Sequence, residues 1–189
     1  DGAMALAMCS VIIEEGLHDR EFTGRWCEGF DGFREHLAAH GYTPAPVTVN
    51  NSEWIFAVAY ARALAANDAG AARQIGEAYL AHMDASFTRI EQLAFDLLGR
   101  PMSHVLVLHA NMLNADYFAR LADLLQQRGY RFVTLDEALA DPAYRQPLGD
   151  TAHEGESWLE GWARQAGLRP YAQAPVPAFV TRWAGAAAY

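Results

Sequence analysis

The apolar run Val105-Leu-Val-Leu108 is the feature that most constrains the fold of this chain. A short continuous apolar run is typical of a strand buried on both faces, as in a parallel sheet. Val47–Val49 and Tyr130–Val133 also have strand character. Helical patterns separate the three segments, and this order is the βαβ alternation of an α/β domain. We therefore expect an α/β fold in which the three strands are parallel neighbours.

Capping residues mark the helices between these segments. The longest helix is expected over about 71–98, with Gly99 just past its end. Asn114 is expected to cap the next helix. Ser157 and Glu160 have the spacing of a capping box for a later one. A further helix is expected near the N-terminus, over residues 3–16.

The charge balance limits the partners of the chain. The 189 residues carry 14 Lys and Arg against 23 Asp and Glu, a formal net charge of -9. Nucleic acids and anionic membrane surfaces both favour clustered basic residues, so we expect neither as a partner. No apolar stretch is long enough to span a membrane. A neutral sugar or small-molecule substrate is compatible with this charge.

His109 is the first candidate for a catalytic role. It ends the predicted strand Val105–Leu108, and catalytic groups of parallel α/β folds collect at the carboxyl ends of strands. A histidine there can act as a general acid or base near neutral pH. The alternative is a core histidine that is hydrogen-bonded to a loop carbonyl.

A second polar group follows the strand Val47–Val49, in the equivalent position. It contains Asn50, Asn51, Glu53 and Trp54. An exposed Trp beside polar groups suits stacking on a sugar ring, so Asn51 and Trp54 are candidate substrate-binding residues. The alternative for Trp54 is that it packs inward at the start of a helix.

His36 and His40 are spaced four residues apart, so both would lie on one face of a helix. Such a pair can bind zinc. The intervening residues do not form the HExxH motif of metalloproteases, and no third ligand lies in register. A solvated helix face is the alternative.

Three segments of the chain resemble the polysaccharide deacetylases, the NodB homology or carbohydrate esterase group. Phe33–Trp54 resembles their late-middle section, Val105–Asn114 their last catalytic motif, and Arg128–Leu139 the strand and helix that follow. The resemblance implies an incomplete (β/α) barrel over residues 33–169. Pro170, Pro175 and Pro177 indicate a weakly ordered tail over 170–189. Half a barrel would leave an open sheet edge, through which we expect self-association.

The resemblance also implies a reaction, the hydrolysis of the carbon–nitrogen amide bond of an N-acetylated sugar. In this family an Asp and two His hold a divalent metal, often zinc, and a second Asp acts as base on the metal-bound water. A His near the C-terminus protonates the leaving amine. His109 matches that His, and Trp54 matches an aromatic residue near the substrate. No segment matches the metal ligands, so we expect a deacetylase fragment that is inactive by itself.

Residues 1–32 resemble a different family. A stretch of the molybdopterin oxidoreductases is similar to Asp1–Met8, Val11–Phe22 and Arg25–Asp31. The metal-ligating residue of that family is absent, so this resemblance implies no cofactor for the chain. A natural fusion, a rearranged gene and an artefact would all produce such a join. Two alternatives to the deacetylase hypothesis remain: a non-catalytic carbohydrate-binding or interaction module, and a molybdopterin oxidoreductase fragment.

Overall fold

The structure is a computed structural model that describes Cys9, Ile12, Ile13 and residues 29–40, 45–146 and 156–185. Contacts between Cα atoms divide the chain into two compact units, residues 1–46 and 47–189. The join predicted at 32–33 concerns the origin of the segments and stays a prediction. The helix predicted over residues 3–16 lies largely outside the described residues.

Seven α-helices are described along their whole length, and Cys9, Ile12 and Ile13 are also helical. In the first unit, α1 is Phe30–Ala39. Those of the second unit are, in chain order, α2 Glu53–Ala65, α3 Ala69–Leu98, α4 Met112–Gln127, α5 Leu135–Leu139, α6 Trp158–Gln165 and α7 Ala178–Ala184, with a 3₁₀ helix at Pro142–Arg145 between α5 and α6.

Helix α3 is the scaffold of the second unit. The Asp68 side chain caps its start by accepting a hydrogen bond from the Ala71 N–H at 2.8 Å. Its end is confirmed at Gly99, which takes the left-handed φ of 68° that favours glycine. Buried residues recur every three or four positions along one face: Ala72, Ile75, Tyr79, Met83, Phe87, Ile90 and Ala94. This spacing gives the helix an apolar stripe on which α2, α4 and α6 pack.

Buried polar contacts hold the last helices in place. The capping box predicted for Ser157 and Glu160 is confirmed at the start of α6. Arg89 of α3 donates to the buried Glu160 carboxylate at 2.6 Å and to the Tyr171 carbonyl at 3.1 Å. Helix α7 packs on α2, where Arg62 donates to the carbonyls of the last turn of α7.

The α/β half-barrel predicted from the sequence is wrong. Among the described residues the only β-pairing is one isolated parallel bridge, between Val49 and Leu106. The Thr48 and Val49 N–H groups both donate to the same acceptor, the Val105 carbonyl, so the ladder does not propagate. Val105–Leu108 is half-buried rather than enclosed on both faces, and Phe132 is 52% exposed in the segment predicted as the third strand.

An apolar run becomes a strand only when a neighbouring backbone pairs with it along its length. Here the neighbouring backbone pairs with the run at one position, Leu106. The predicted self-association through an open sheet edge therefore has no support in the described residues. Of the tail expected to be weakly ordered, residues 178–184 form α7, with Val180 and Ala184 buried; its order in solution stays a prediction. None of the described helices combines the length and the apolar character needed to cross a bilayer.

His104 lies next to the bridge and is half-buried. Its Nδ1 is 3.3 Å from Thr48 Oγ1, and its ring packs near that of Tyr130, with 6.2 Å between centroids. Burial lowers the pKa of His104 to about 4, although the Glu91 and Asp141 carboxylates act in the opposite direction. The imidazole is therefore neutral at pH 7, with Nδ1 free to accept the hydrogen bond of the Thr48 hydroxyl.

Gly76→Ala should destabilise the protein because α4 rests on this glycine. A Cβ at position 76 would lie 1.9 Å from Cζ of the Tyr117 ring. We expect the free energy of unfolding in urea to fall by about 1–3 kcal/mol, the usual cost of overpacking. Gly70→Ala, in the exposed first turn of the same helix, is the control and should change it by less than about 1 kcal/mol. A Gly76→Ala variant as stable as the wild type would contradict this close packing of α4 against Gly76.

His104→Gln should reduce the loss of stability in acid. Because the folded-state pKa of His104 lies below its usual 6.5, protons bind the unfolded chain more tightly, and stability is lost as the pH falls from 6.5 towards 4. The shift corresponds to at most about 3–4 kcal/mol, since one pKa unit is worth about 1.4 kcal/mol. Urea unfolding of both proteins across this range measures the difference. Identical pH dependence in the two proteins would contradict a buried, neutral His104.

Candidate functional site

The parallel bridge brings two polar segments together. Val49 and Leu106 run side by side in the same direction, so the residues that follow each of them emerge at the same end. Asn51 joins the two segments, because its Nδ2 donates to the Val107 carbonyl at 3.2 Å. The start of α2 and the turn before α4 meet there, although the sheet that was expected to align them is absent from the described residues.

The centre of the site is a pair formed by Glu53 and His109. Nδ1 of His109 lies 2.7 Å from Oε2 of Glu53. The Glu53 side chain is 1% exposed, whereas that of His109 is 57% exposed. The pair therefore joins a buried carboxylate to an imidazole that solvent reaches. His109 is not the enclosed core histidine of the alternative reading.

Two asparagine side chains complete the surroundings of the Glu53 carboxylate. Nδ2 of Asn114 donates to Glu53 Oε1 at 2.9 Å, and Nδ2 of Asn111 donates to the same oxygen. Asn114 is itself buried and accepts a hydrogen bond from the Tyr79 hydroxyl at 2.8 Å. With His109 on the other oxygen, the buried carboxylate has a donor on each side, as a buried charge requires.

These contacts determine which nitrogen of His109 can act. A carboxylate only accepts hydrogen bonds, so Nδ1 of the neutral ring carries the proton and Nε2 is left as the basic position. The structure gives Nε2 no partner among the described residues. Nε2 can therefore take up a proton from solvent and deliver it to a bound group, which is the behaviour of a general acid or base.

The two predicted substrate-binding residues differ in their surroundings. Trp54 is 43% exposed in the first turn of α2, so it does not pack fully inward. Both polar ends of the Asn51 side chain are engaged inside the protein. Its Nδ2 donates to the Val107 carbonyl, and its Oδ1 accepts from the Glu53 N–H at 2.8 Å. Asn51 thus orients the backbone of Glu53, and a role in substrate binding stays a prediction for both residues.

The His36 and His40 pair lies at the end of α1, and both residues are exposed. Nδ1 of His40 donates to the His36 carbonyl at 2.8 Å, and the two ring centroids are 4.0 Å apart. In the part of the chain that the structure describes, no three His, Cys, Asp or Glu residues come together as a metal site requires. These residues do not fit the zinc site that the deacetylase resemblance implies.

A separate cavity of about 820 Å³ lies at the other end of the segment that carries the bridge. Its lining includes Phe95, Met102, His104, Arg128 and Tyr130. Neither Glu53 nor His109 lines this cavity, so it is not part of their site.

The sequence singles out His109 as a candidate but does not indicate the residues that hold it. Glu53 was noted only as one of several polar residues after a strand, and nothing local indicates a partner 56 residues away. Asn114 was assigned to the cap of α4. The cap is in fact Asn111, whose side chain accepts from the Asn114 N–H at 2.9 Å. Asn111 and Asn114 are three residues apart, which is the spacing between an N-cap residue and the residue whose N–H it caps. This spacing is visible in the sequence.

The N-terminal resemblance to molybdopterin oxidoreductases falls largely outside the described residues, which include only seven positions of 1–32. No protein-family model, curated protein or solved structure matches the chain.

Glu53→Gln should invert the protonation of the His109 ring. The glutamine oxygen is needed as acceptor for Asn111 and Asn114, so its NH₂ group faces Nδ1 of His109 and turns that nitrogen into an acceptor. We expect ¹⁵N NMR of the neutral ring to show the proton on Nε2 instead of Nδ1, with a stability loss of about 1–3 kcal/mol. Glu77→Gln, which breaks an exposed ion pair with Arg120, is the control and should leave the ring unchanged. An Nδ1–H ring in Glu53→Gln would contradict the pairing.

Proposed function

We propose that this chain carries the proton-donating histidine of an enzyme that hydrolyses the amide bond of N-acetylated sugars. The observation that supports this most directly is the contact of 2.7 Å between His109 and the buried Glu53. The residue that the deacetylase resemblance singles out as the proton donor is also the exposed member of this pair. Its ring is held by contacts of the kind that orient catalytic imidazoles.

The chemistry requires such a donor. Hydrolysis of an N-acetylated sugar breaks the bond between the acetyl carbon and the sugar nitrogen, and the nitrogen leaves as an amine only if it receives a proton. In the proposed step, water has added its oxygen to the acetyl carbon, and protonated Nε2 of His109 gives its proton to the nitrogen as the carbon–nitrogen bond breaks. Acetate and the free amino sugar result, and His109 is left neutral. Proton transfer of this kind typically contributes about 10²–10⁴-fold to a rate.

Activation of the attacking water is a separate requirement. The resemblance implies that a divalent metal supplies it, by lowering the pKa of a bound water. Among the described residues, no group of side chains could hold such a metal. The part proposed for this chain is confined to orienting an imidazole, moving a proton at Nε2 and presenting Trp54 to a sugar.

Trp54 supports the sugar part of the proposal. Trp54 is 43% exposed, and it directly follows the residue that holds His109. A pyranose has an apolar face that stacks on aromatic rings. The same exposed ring also favours the alternative, a non-catalytic carbohydrate-binding module. The two functions differ in one respect: only the deacetylase places the acetamide group of the sugar at His109.

A titration with the tetramer of N-acetylglucosamine, followed by NMR of the histidine and tryptophan side chains, tests the proposal. We expect the signals of both Trp54 and His109 to shift as the sugar binds. Trp54→Ala should weaken binding about three- to tenfold, the value of one aromatic contact. Phe95→Ala is the control, because Phe95 is also exposed, at 56%, but lies far from the site. It is 16 residues, or about 24 Å, along α3 from Tyr79, which contacts Asn114 of the site.

The responses of Trp54 and His109 decide between the candidate functions. A shift of Trp54 without any response of His109 would favour the carbohydrate-binding module and overturn the catalytic proposal. The glucosamine tetramer, which lacks the acetyl groups, should produce a smaller shift at His109 if the acetamide lies there. No response of either residue to either sugar would overturn both candidates.

A further inference from the structure

Asn114 contacts both members of the Glu53–His109 pair. One hydrogen of its NH₂ group goes to Glu53 Oε1 at 2.9 Å, and the other goes to the backbone carbonyl of His109 at 2.8 Å. Asn114 is only 8% exposed. A single buried amide group therefore fixes the Glu53 carboxylate relative to the backbone from which the imidazole projects.

Tyr79 determines the direction of that amide. Its hydroxyl donates to Asn114 Oδ1 at 2.8 Å. Burial, together with the nearby Glu53 carboxylate, raises the pKa of Tyr79, so the hydroxyl keeps its proton. The reversed amide would turn its oxygen towards a carboxylate and a carbonyl, both of which are acceptors. Tyr79 and the two acceptors thus favour the same orientation of Asn114.

Asn111 provides the contrast. It donates to the same carboxylate oxygen, but no contact with His109 is recorded for it, and its Oδ1 is used to cap α4. It is also less buried than Asn114. Asn111 can help to satisfy Glu53 without fixing where the carboxylate lies relative to His109.

We infer that Asn114 is a positioning residue, oriented by Tyr79, that keeps the proton of neutral His109 on Nδ1 and leaves Nε2 as the reactive nitrogen. The effect passes through Glu53, because the strength of its contact with Nδ1 depends on the position of the carboxylate. This inference deepens the proposed function, in which the proton must be delivered from Nε2. Its test does not depend on that function.

The experiment measures the ratio of the two neutral forms of His109, Nδ1–H and Nε2–H, by ¹⁵N NMR above the pH at which the ring titrates. In Asn114→Ala we expect this ratio to fall about tenfold or more, the effect of weakening a hydrogen bond to a charged group. Asn111→Ala removes the other amide donor of the same carboxylate oxygen and should lower the ratio less than Asn114→Ala does, and Glu77→Gln, which breaks an exposed ion pair with Arg120, is the control and should leave it unchanged. A purely structural role for Asn114 would lower stability without changing the ratio.

A second variant keeps the test possible if Asn114→Ala does not fold. Tyr79→Phe keeps the ring and removes only the hydroxyl, so we expect a folded protein with a smaller fall in the ratio. A folded Asn114→Ala with the wild-type ratio would overturn the inference. If that variant does not fold, an unchanged ratio in Tyr79→Phe overturns it. The sugar titration is independent: a changed ratio without sugar binding would retain the positioning role and reject the deacetylase function.

Discussion

A buried carboxylate must have donors around it, and this requirement organises the site. Glu53 lies at the first turn of α2 with almost none of its side chain exposed. Its donors come from His109 and from two asparagines at the start of α4, one of them oriented by a tyrosine of α3. Removing one partner from such a charge costs more than the pair contributes, because the charge stays buried. The relative placement of α2, α3 and α4 is therefore coupled to the position of the His109 ring.

The helices were largely predictable because their signals are local. The end of α3 follows from Gly99, and the start of α6 follows from the spacing of Ser157 and Glu160. Strands are different, since a strand exists only through its neighbour. The apolar character of Val105–Leu108 indicated burial on two faces, whereas the described residues supply a partner at one position on one side. No local pattern reports whether that partner is present.

The same distinction explains the outcome for the site. His109 was found by an argument about the carboxyl ends of parallel strands, although the sheet behind that argument is not among the described residues. One parallel bridge nevertheless gives the two segments a common direction, so His109 lies at the same end as the residues that follow Val49. Glu53 and Asn114 could not be paired with His109 in this way. Their contact depends on how α2 and α4 pack on α3, which a cap or an apolar run does not specify.

The support of His109 comes mainly from helix packing and not from a sheet. Glu53, Asn114 and Tyr79 lie on three different helices, and Asn51 ties the site to the bridged segments through the Val107 carbonyl. A proton-transfer group held in this way needs neither a closed barrel nor a metal ligand for its geometry. For the proposed function, orientation of the imidazole and activation of water are thus physically separable, and the described residues account for the orientation.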